Sequence, residues 1–90
     1  LPMEGVYATT TIVDAASYPS ITNVGTAPTF GEENVIIETH ILDFSRDIYS
    51  KNITVEFLSL IRKQQKFSSP DELIIQLKKD ADLRRELCKV

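Results

Sequence analysis

The chain has 90 residues, of which 42% are apolar and 26% charged, and its formal net charge is −3. This length and composition fit one globular domain over residues 1–90 with a single modest core. The acidic balance argues against a nucleic-acid or anionic-membrane partner, because both favour a basic surface.

The sequence shows no sign of export or of membrane insertion. No run of about 18 apolar residues is present and no charged leader precedes an apolar stretch, so we expect neither a membrane span nor a signal peptide. The single cysteine, Cys88, cannot form an internal disulfide, which either fits a reducing compartment or is uninformative. We therefore expect a cytoplasmic location. The start at Leu1 and Pro2, without an initiator methionine, predicts that the chain is a domain of something longer.

The first third of the chain predicts a β-hairpin followed by a loop. Residues 4–13 are rich in strand formers, and residues 18–24 predict a return strand after a turn at residues 14–17. Pro19 lacks the backbone N–H that a central strand needs, so it predicts an edge position for the second strand. Residues 25–31 contain two glycines and a proline, which are typical of a loop.

Residues 35–42 are mostly β-branched or large apolar and predict a buried or half-buried strand. Side chains alternate between the two faces of a strand, so Glu38 and His40 share one face with aliphatic neighbours. A carboxylate in such surroundings is costly to desolvate unless it has a role. Two interpretations of Glu38 stay open: a solvated glutamate at the rim of a barrel, or a general base at a cleft. His40, the only histidine, is on chemistry alone better interpreted as a surface or satisfied histidine than as a ligand.

Residues 43–51 predict a polar connection to a long strand over residues 52–62. The predicted faces of this strand carry Ile53, Val55, Phe57 and Ile61 on one side and Thr54, Glu56, Leu58, Leu60 and Arg62 on the other. The second half of the strand is apolar on both faces, which indicates that another element covers it. We expect that element to be the C-terminal helix.

The last third of the chain predicts a helix from Pro70 to Leu87, with Ser69 as its N-cap and Glu72 completing a capping box. An apolar stripe at helical spacing is predicted to pack on the barrel; it consists of Leu73, Ile74, Leu77 and Ala81. Basic residues near the helix C-terminus complement the helix dipole without requiring a ligand, and they are Arg84, Arg85 and Lys89. The fold class is therefore mainly β, a small antiparallel barrel with a C-terminal helix.

Several segments resemble the riboflavin kinase family in order and spacing, over nearly all 90 residues. They are Leu1-Pro2 with Gly5-Val6-Tyr7-Ala8, Asn23-Val24-Gly25-Thr26 with Pro28-Thr29-Phe30-Gly31, Glu38-Thr39-His40-Ile41-Leu42-Asp43-Phe44 with Asp47-Ile48-Tyr49, and Ile61-Arg62 with Lys66-Phe67 and the helix after them. No phosphate-binding glycine loop, paired Cys/His spacing or serine nucleophile motif competes with this resemblance.

The resemblance implies a six-stranded Greek-key barrel that transfers the γ-phosphate of ATP to the 5′-hydroxyl of riboflavin and forms FMN. It implies that Glu38 is the catalytic base, and that the substrate-binding residues are Asn23, His40, Tyr49 and Arg62. Riboflavin and Mg²⁺-ATP are the implied substrates. The bacterial members also carry an N-terminal adenylyltransferase module, so the resemblance implies a bifunctional parent chain.

The chain departs from the family pattern in three ways. The family's Pro-Thr-x-Asn motif for Mg²⁺-ATP lies before the Leu-Pro start, so we expect that motif, a flap and the first barrel strand to lie upstream, and residues 1–90 alone to be inactive. Pro28-Thr29-Phe30-Gly31 is no substitute, because Gly31 offers no side-chain ligand; no metal site is expected here. Ser50 replaces a glycine, which costs energy if that backbone is left-handed.

Two other functions stay open from the sequence. One is a non-catalytic barrel that binds a flavin or a partner chain, and the other is a purely structural interaction domain. The basic cluster of Arg62, Lys63 and Lys66 is better interpreted as a solvated end of the barrel than as a phosphate clamp, although the resemblance gives Arg62 a role on the ligand side.

Overall fold

A computed structural model describes residues 3–29, 32–45, 48 and 51–87 of the chain. It contains four strands and one helix: β1 (Gly5–Val13), β2 (Ala16–Thr29), β3 (Glu32–Ile41), β4 (Ile53–Arg62) and α1 (Pro70–Leu87). The strands form one antiparallel sheet in the order β3-β2-β1-β4. Three consecutive strands and a fourth that returns beside the first are the Greek-key arrangement. The mainly β class with a C-terminal helix is confirmed, and the sheet is consistent with part of the expected barrel.

The turn between β1 and β2 is tighter than predicted. Only Asp14 and Ala15 lie in it, both with positive φ (50° and 68°), as a two-residue hairpin turn of the primed type requires. Ala16 already pairs with Val13, so the predicted four-residue turn was wrong. The backbone accepts a strained alanine because the flanking strands pair along their whole length.

Strand β2 is longer and more central than predicted. The segment from Gly25 to Thr29 pairs with β3, so the predicted loop was wrong over those residues; Phe30 and Gly31 lie outside the described residues. The predicted edge position was also wrong, since β2 lies between β1 and β3. Pro19 is tolerated because it lies one residue beyond the last β2–β3 pair, and its carbonyl accepts a hydrogen bond from Leu42 N–H (3.0 Å).

Strand β3 is more exposed than its apolar sequence predicted. Val35 and Ile37 keep 48% and 49% of their surface accessible, whereas Leu42, just past the strand, is buried. The physical reason is position, because within the described residues β3 is an edge strand with β2 as its single neighbour. Apolar character alone does not distinguish a covered strand from an exposed edge.

The pairing of strand β4 with β1 contains two register shifts. Register shifts leave Leu58 and Ile61 without a paired residue, so Ser59 pairs with Ala8 and Leu60 with Tyr7. These β-bulges move Leu60 to the opposite face from the predicted one, whereas Arg62 returns to the predicted face. The predicted helical cover was wrong as well, since Leu58 is 57% exposed and α1 packs against β2.

A ladder of hydroxyl groups fills one face of the β1–β2 pair. Thr9, Thr11, Ser20 and Thr22 are all fully buried, and their side-chain oxygens lie 2.7–3.0 Å apart in a chain of hydrogen bonds. Thr39 extends the ladder to β3 through Thr22 (2.8 Å). Mutual hydrogen bonding removes the desolvation cost that buried hydroxyls otherwise carry, which explains a threonine-rich strand at the centre of the sheet.

Helix α1 begins as predicted, and its first turn is capped. Ser69 Oγ accepts a hydrogen bond from Glu72 N–H (3.2 Å), and Glu72 Oε2 accepts one from Ser68 N–H (3.1 Å). Hydrogen bonds from the side chain and then the backbone of Ser68 hold the pKa of the Glu72 carboxyl below its ordinary value. The return bond comes from the residue before the N-cap, a small variation on the capping box. Among the described residues, no helix has the length and apolarity needed to cross a membrane.

The buried face of α1 is polar, which corrects the predicted apolar stripe. Leu73, Ile74 and Leu77 are 39%, 62% and 51% exposed, whereas Asp80 and Arg84 are buried. The helix touches the sheet through its C-terminal half, while its N-terminal half stands off and leaves a cavity. The leucines of the stripe line that cavity instead of a closed core.

Arginines fasten the C-terminal half of α1 to the strands. Arg84 donates from Nε to the carbonyl oxygens of Thr9 (3.1 Å) and Ser20 (3.2 Å), and Arg85 pairs with Asp43 after β3 (3.1 Å). The predicted interaction of these arginines with the helix dipole is therefore supplemented by specific bonds to the sheet; Lys89 lies outside the described residues.

We expect Asp80→Ala to lower the free energy of unfolding by about 3–5 kcal/mol, because it leaves the Arg62 guanidinium partly buried without its anion. Leu77→Ala should cost only about 1 kcal/mol, since half of that side chain is already exposed. Urea denaturation of both variants measures the difference. An equal loss of unfolding free energy in the two variants would contradict the conclusion that α1 packs on the sheet through polar side chains.

Candidate functional site

A cavity of about 500 Å³ separates the N-terminal half of α1 from the sheet. We call it the helix-side cavity. Its apolar wall consists of Val6, Ile21, Phe67, Leu73 and Leu77, and its polar wall of Asn23, Glu38, Thr39, His40, Arg62, Gln64 and Asp80. The volume is in the range of small-molecule sites, and mixed apolar and polar walls are typical of them.

The structure brings together four of the five residues that the sequence placed at a site. Glu38, Asn23 and Arg62 belong to one row that crosses all four strands: Glu38 pairs with Asn23, Asn23 with Val6, and Val6 with Arg62. Residues of such a row point to the same face of the sheet. His40 joins the same cavity from β3. Tyr49 lies outside the described residues.

Glu38 lies where two cavities meet. A second, more polar cavity of about 570 Å³, the loop-side cavity, shares Asn23, Glu38 and Gln64 with the first. Its other lining residues are Glu4, Gly25, Thr26, Ile36, Gln65 and Lys66. Glu38 itself is exposed, which agrees with the rim position among the two interpretations of its strand. The carboxylate is accessible from both cavities, so it can accept a proton from a group held in either.

Arg62 is held by an ion pair with the helix. Its Nε and Nη2 donate to the two carboxylate oxygens of Asp80 (2.9–3.2 Å), and Gln76 Nε2 donates to the same carboxylate (3.0 Å). The guanidinium carbon lies 5.8 Å from the centre of the Phe67 ring, a cation–π distance. Arg62 is thus neither a loose surface cation nor an unpaired phosphate ligand.

Gln64 fastens the segment after β4 across the sheet. Its side-chain amide donates to Asn23 Oδ1 and to the carbonyl oxygen of Val24 (2.9 Å). The contact orients the Asn23 amide, because the oxygen that accepts from Gln64 leaves the NH₂ group turned away from it. Neither Gln64 nor Asp80 was singled out from the sequence.

The described residues do not fit a resident divalent cation. Among them, no group of three or more His, Cys, Asp or Glu side chains lies together. Asp80 lines the helix-side cavity but is already bound by Arg62 and Gln76, and a hard cation needs several oxygen ligands. We therefore derive no step through a metal bound by these residues.

Comparison with protein families gives one match over almost the whole chain. The family model described as riboflavin kinase matches residues 1–88. This range includes every residue that lines the two cavities.

Several curated relatives are named as riboflavin kinases. The chain is 34% identical over 88 residues to the bifunctional riboflavin kinase/FMN adenylyltransferase of Pseudomonas fluorescens, covering 97% of this chain and 28% of that protein. It is 36% identical over 86 residues to the protein of the same name from Escherichia coli K12 (94% and 28%) and 36% identical over 83 residues to that of Bacillus subtilis (89% and 26%). The chain thus spans about a quarter of the length of these relatives.

A solved structure shares the fold. A crystal structure from Streptococcus pneumoniae, described as a macrolide-efflux protein, superimposes with a TM-score of 0.85 at 36% identity, over 94% of this chain and 28% of that one. The description belongs to that protein, and the likeness shows that the strand order and the helix position recur in an experimental structure.

We expect Gln64→Ala to lower the free energy of unfolding by about 1–2 kcal/mol, because two hydrogen bonds that hold residues 63–67 on β2 are lost. Gln65→Ala is the matched control, since Gln65 is next in sequence and exposed like Gln64 but takes no part in these two hydrogen bonds; it should change stability by less than about 0.5 kcal/mol. Urea denaturation compares the two. A Gln65→Ala loss as large as that of Gln64→Ala would contradict the contact.

Proposed function

The chain belongs to the riboflavin kinase family, and we propose that the protein that carries it transfers the γ-phosphoryl group of ATP to the 5′-hydroxyl of riboflavin, giving FMN. The observation that carries this proposal is the row across the four strands that places Glu38, Asn23 and Arg62 on one face of the sheet, in the same cavity as the apolar residues Phe67, Leu73 and Leu77. A ligand with a flat ring system and a hydroxylated chain matches these two walls.

The apolar wall suits the ring system of riboflavin. Phe67, Leu73 and Leu77 face the sheet from one side, and Val6 and Ile21 lie on the sheet itself. The half-exposed state of Leu73 and Leu77 leaves apolar surface that a bound ring would cover, at roughly 25 cal/mol per Å² removed from water. A bound ring would therefore explain why apolar residues of α1 are left exposed in this cavity.

Glu38 is positioned to act on the hydroxylated chain of the substrate. Phosphoryl transfer requires little covalent help: the hydroxyl must be oriented and its proton accepted while the phosphoryl group is transferred. The Glu38 carboxylate lies at the junction of the two cavities, so a hydroxyl from the helix-side cavity can meet a phosphate from the loop-side cavity there. The oriented Asn23 amide and His40 supply hydrogen bonds to the same chain. Tyr49, which follows the same strand in the sequence, is proposed to contact the substrate as well.

ATP is proposed to enter as its Mg²⁺ complex, which makes the ion part of the substrate. Because the described residues do not form a cation site, we propose that its protein ligands belong to a Pro-Thr-x-Asn segment elsewhere in the parent protein. Lys66 lines the loop-side cavity, and we propose that its ammonium group meets a phosphate of ATP there.

The parent protein is proposed to be bifunctional and cytoplasmic. The relatives named as riboflavin kinase/FMN adenylyltransferase are more than three times as long as the match, which leaves room for a second catalytic module. FMN made by the kinase would then be the substrate of the adenylyltransferase. A non-catalytic flavin-binding module would have no need for a carboxylate where the two cavities meet.

In the full-length protein, Glu38→Gln should lower kcat for FMN formation by about 10²- to 10⁴-fold, because the amide cannot accept the hydroxyl proton. Riboflavin affinity should change little, since the substitution preserves shape. The measurements are ATP-dependent FMN formation and riboflavin binding by flavin fluorescence.

Glu56→Gln is the control for that variant, because Glu56 is another exposed carboxylate on the same sheet and lines neither cavity. It should leave both measurements unchanged. Near-normal turnover of Glu38→Gln would remove Glu38 from the reaction, whereas a wild-type protein that forms no FMN would overturn the proposed function itself.

A further inference from the structure

The ion pair between Arg62 and Asp80 lies in the wall of the helix-side cavity and is largely shielded from solvent. The side chains of Arg62 and Asp80 are 17% and 1% exposed, and their closest atoms are 2.9 Å apart. Together the two groups carry no net charge. The cavity wall therefore contains a guanidinium whose charge is already compensated from behind, by a residue of the helix.

We propose that Asp80 is a positioning residue that cancels the positive charge that Arg62 would otherwise bring to the site, so that the site binds the uncharged riboflavin and does not retain the anionic product FMN. This inference rests on the proposed function. Asp80 acts through Arg62, and its effect is on discrimination between substrate and product.

The contacts of Arg62 explain how its orientation is fixed. A guanidinium has five N–H donors; Nε and Nη2 point to Asp80, and Nη1 donates to the carbonyl oxygen of Lys63 (3.3 Å). The ring of Phe67 lies against the group. Three of the five N–H donors are thus engaged by protein oxygens, which leaves the group better suited to stacking with a ring than to a bidentate grip on a phosphate.

Because Arg62 and the reacting end share one cavity, the charge of Arg62 is relevant to the product phosphate. Glu38 and Arg62 lie in the same cross-strand row and line the same cavity. Three interstrand spacings of about 4.8 Å separate their backbones, but both residues line one partly enclosed cavity, where charges are screened less than in bulk solvent. An uncompensated guanidinium there would attract a phosphate of about −1.5 to −2 charge on the product. Riboflavin, which has no phosphate, would not feel this attraction.

The test compares the inhibition constant of FMN, competitive with riboflavin, with the dissociation constant of riboflavin in the full-length protein. Competition against riboflavin restricts the FMN measurement to the kinase site. Asp80→Asn should lower the ratio of the FMN inhibition constant to the riboflavin dissociation constant by about tenfold, because Arg62 loses its counter-charge. Arg62→Gln should shift the ratio the opposite way, since Asp80 then carries an uncompensated negative charge. The double variant should return close to the wild-type ratio.

The controls separate charge from structure. Asp82→Asn removes an exposed carboxylate of the same helix, paired with Arg85, and should leave the ratio unchanged. Raising KCl from about 0.05 M to about 0.5 M should reduce the shift in Asp80→Asn, because screening acts on charge and not on packing. If Asp80→Asn does not fold, Arg62→Gln alone tests the inference, because it should shift the ratio of the two constants in the opposite direction.

The inference would be overturned, and the proposed function left intact, if both single variants weakened the binding of riboflavin and of FMN by the same factor. The ratio of the two constants would then show neither opposite shifts in the two variants nor a salt dependence. Failure of the wild-type protein to bind riboflavin or to phosphorylate it would overturn the proposed function, and the inference with it. The two failures are therefore distinguishable in one set of measurements.

Discussion

The contact between Arg62 and Asp80 joins the end of β4 to the helix, and the geometry of the site depends on it. The helix meets the sheet through buried polar groups, Asp80 and Arg84, and not through its leucines. A polar ridge of this kind holds the helix at a fixed height above the strands because ion pairs and hydrogen bonds demand specific distances. The space left beneath the first half of the helix is the helix-side cavity, lined by Leu73 and Leu77.

Sheet topology then determines which side chains face that space. The Greek-key order places β4 beside β1, so that Arg62 from the end of β4 and Glu38 from the middle of β3 fall in one row separated by three interstrand spacings of about 4.8 Å each. Two β-bulges in β4 preserve the phase of Arg62 while they reverse that of Leu60. A single bulge would have turned the arginine away from the cavity and from Asp80.

The sequence was sufficient to predict the elements whose signals lie within a few residues. It was insufficient for features that depend on contacts between residues far apart in the chain. The helix start at Ser69 and Pro70, and the strands, could be predicted because capping and alternation act within a few residues. The exposure of β3, the extension of β2 through Thr29 and the bulges of β4 depend on neighbouring strands far away in the chain. The family resemblance placed Glu38 and Arg62 at a site, but the role of Asp80 required the fold. A spacing of four residues between Gln76, Asp80 and Arg84 was the one signal of a polar helix face, and the stronger leucine pattern masked it.

The most direct test of this account is a crystal structure of the full-length protein with riboflavin and a non-hydrolysable ATP analogue. We predict that the ring system lies between Phe67 and Leu77 on one side and the sheet on the other, with the 5′-hydroxyl within about 2.6–3.2 Å of a Glu38 carboxylate oxygen. The Arg62–Asp80 pair should remain intact beside the ring. A ring bound outside the helix-side cavity, or a 5′-hydroxyl beyond hydrogen-bonding distance of Glu38 with both substrates present, would contradict it.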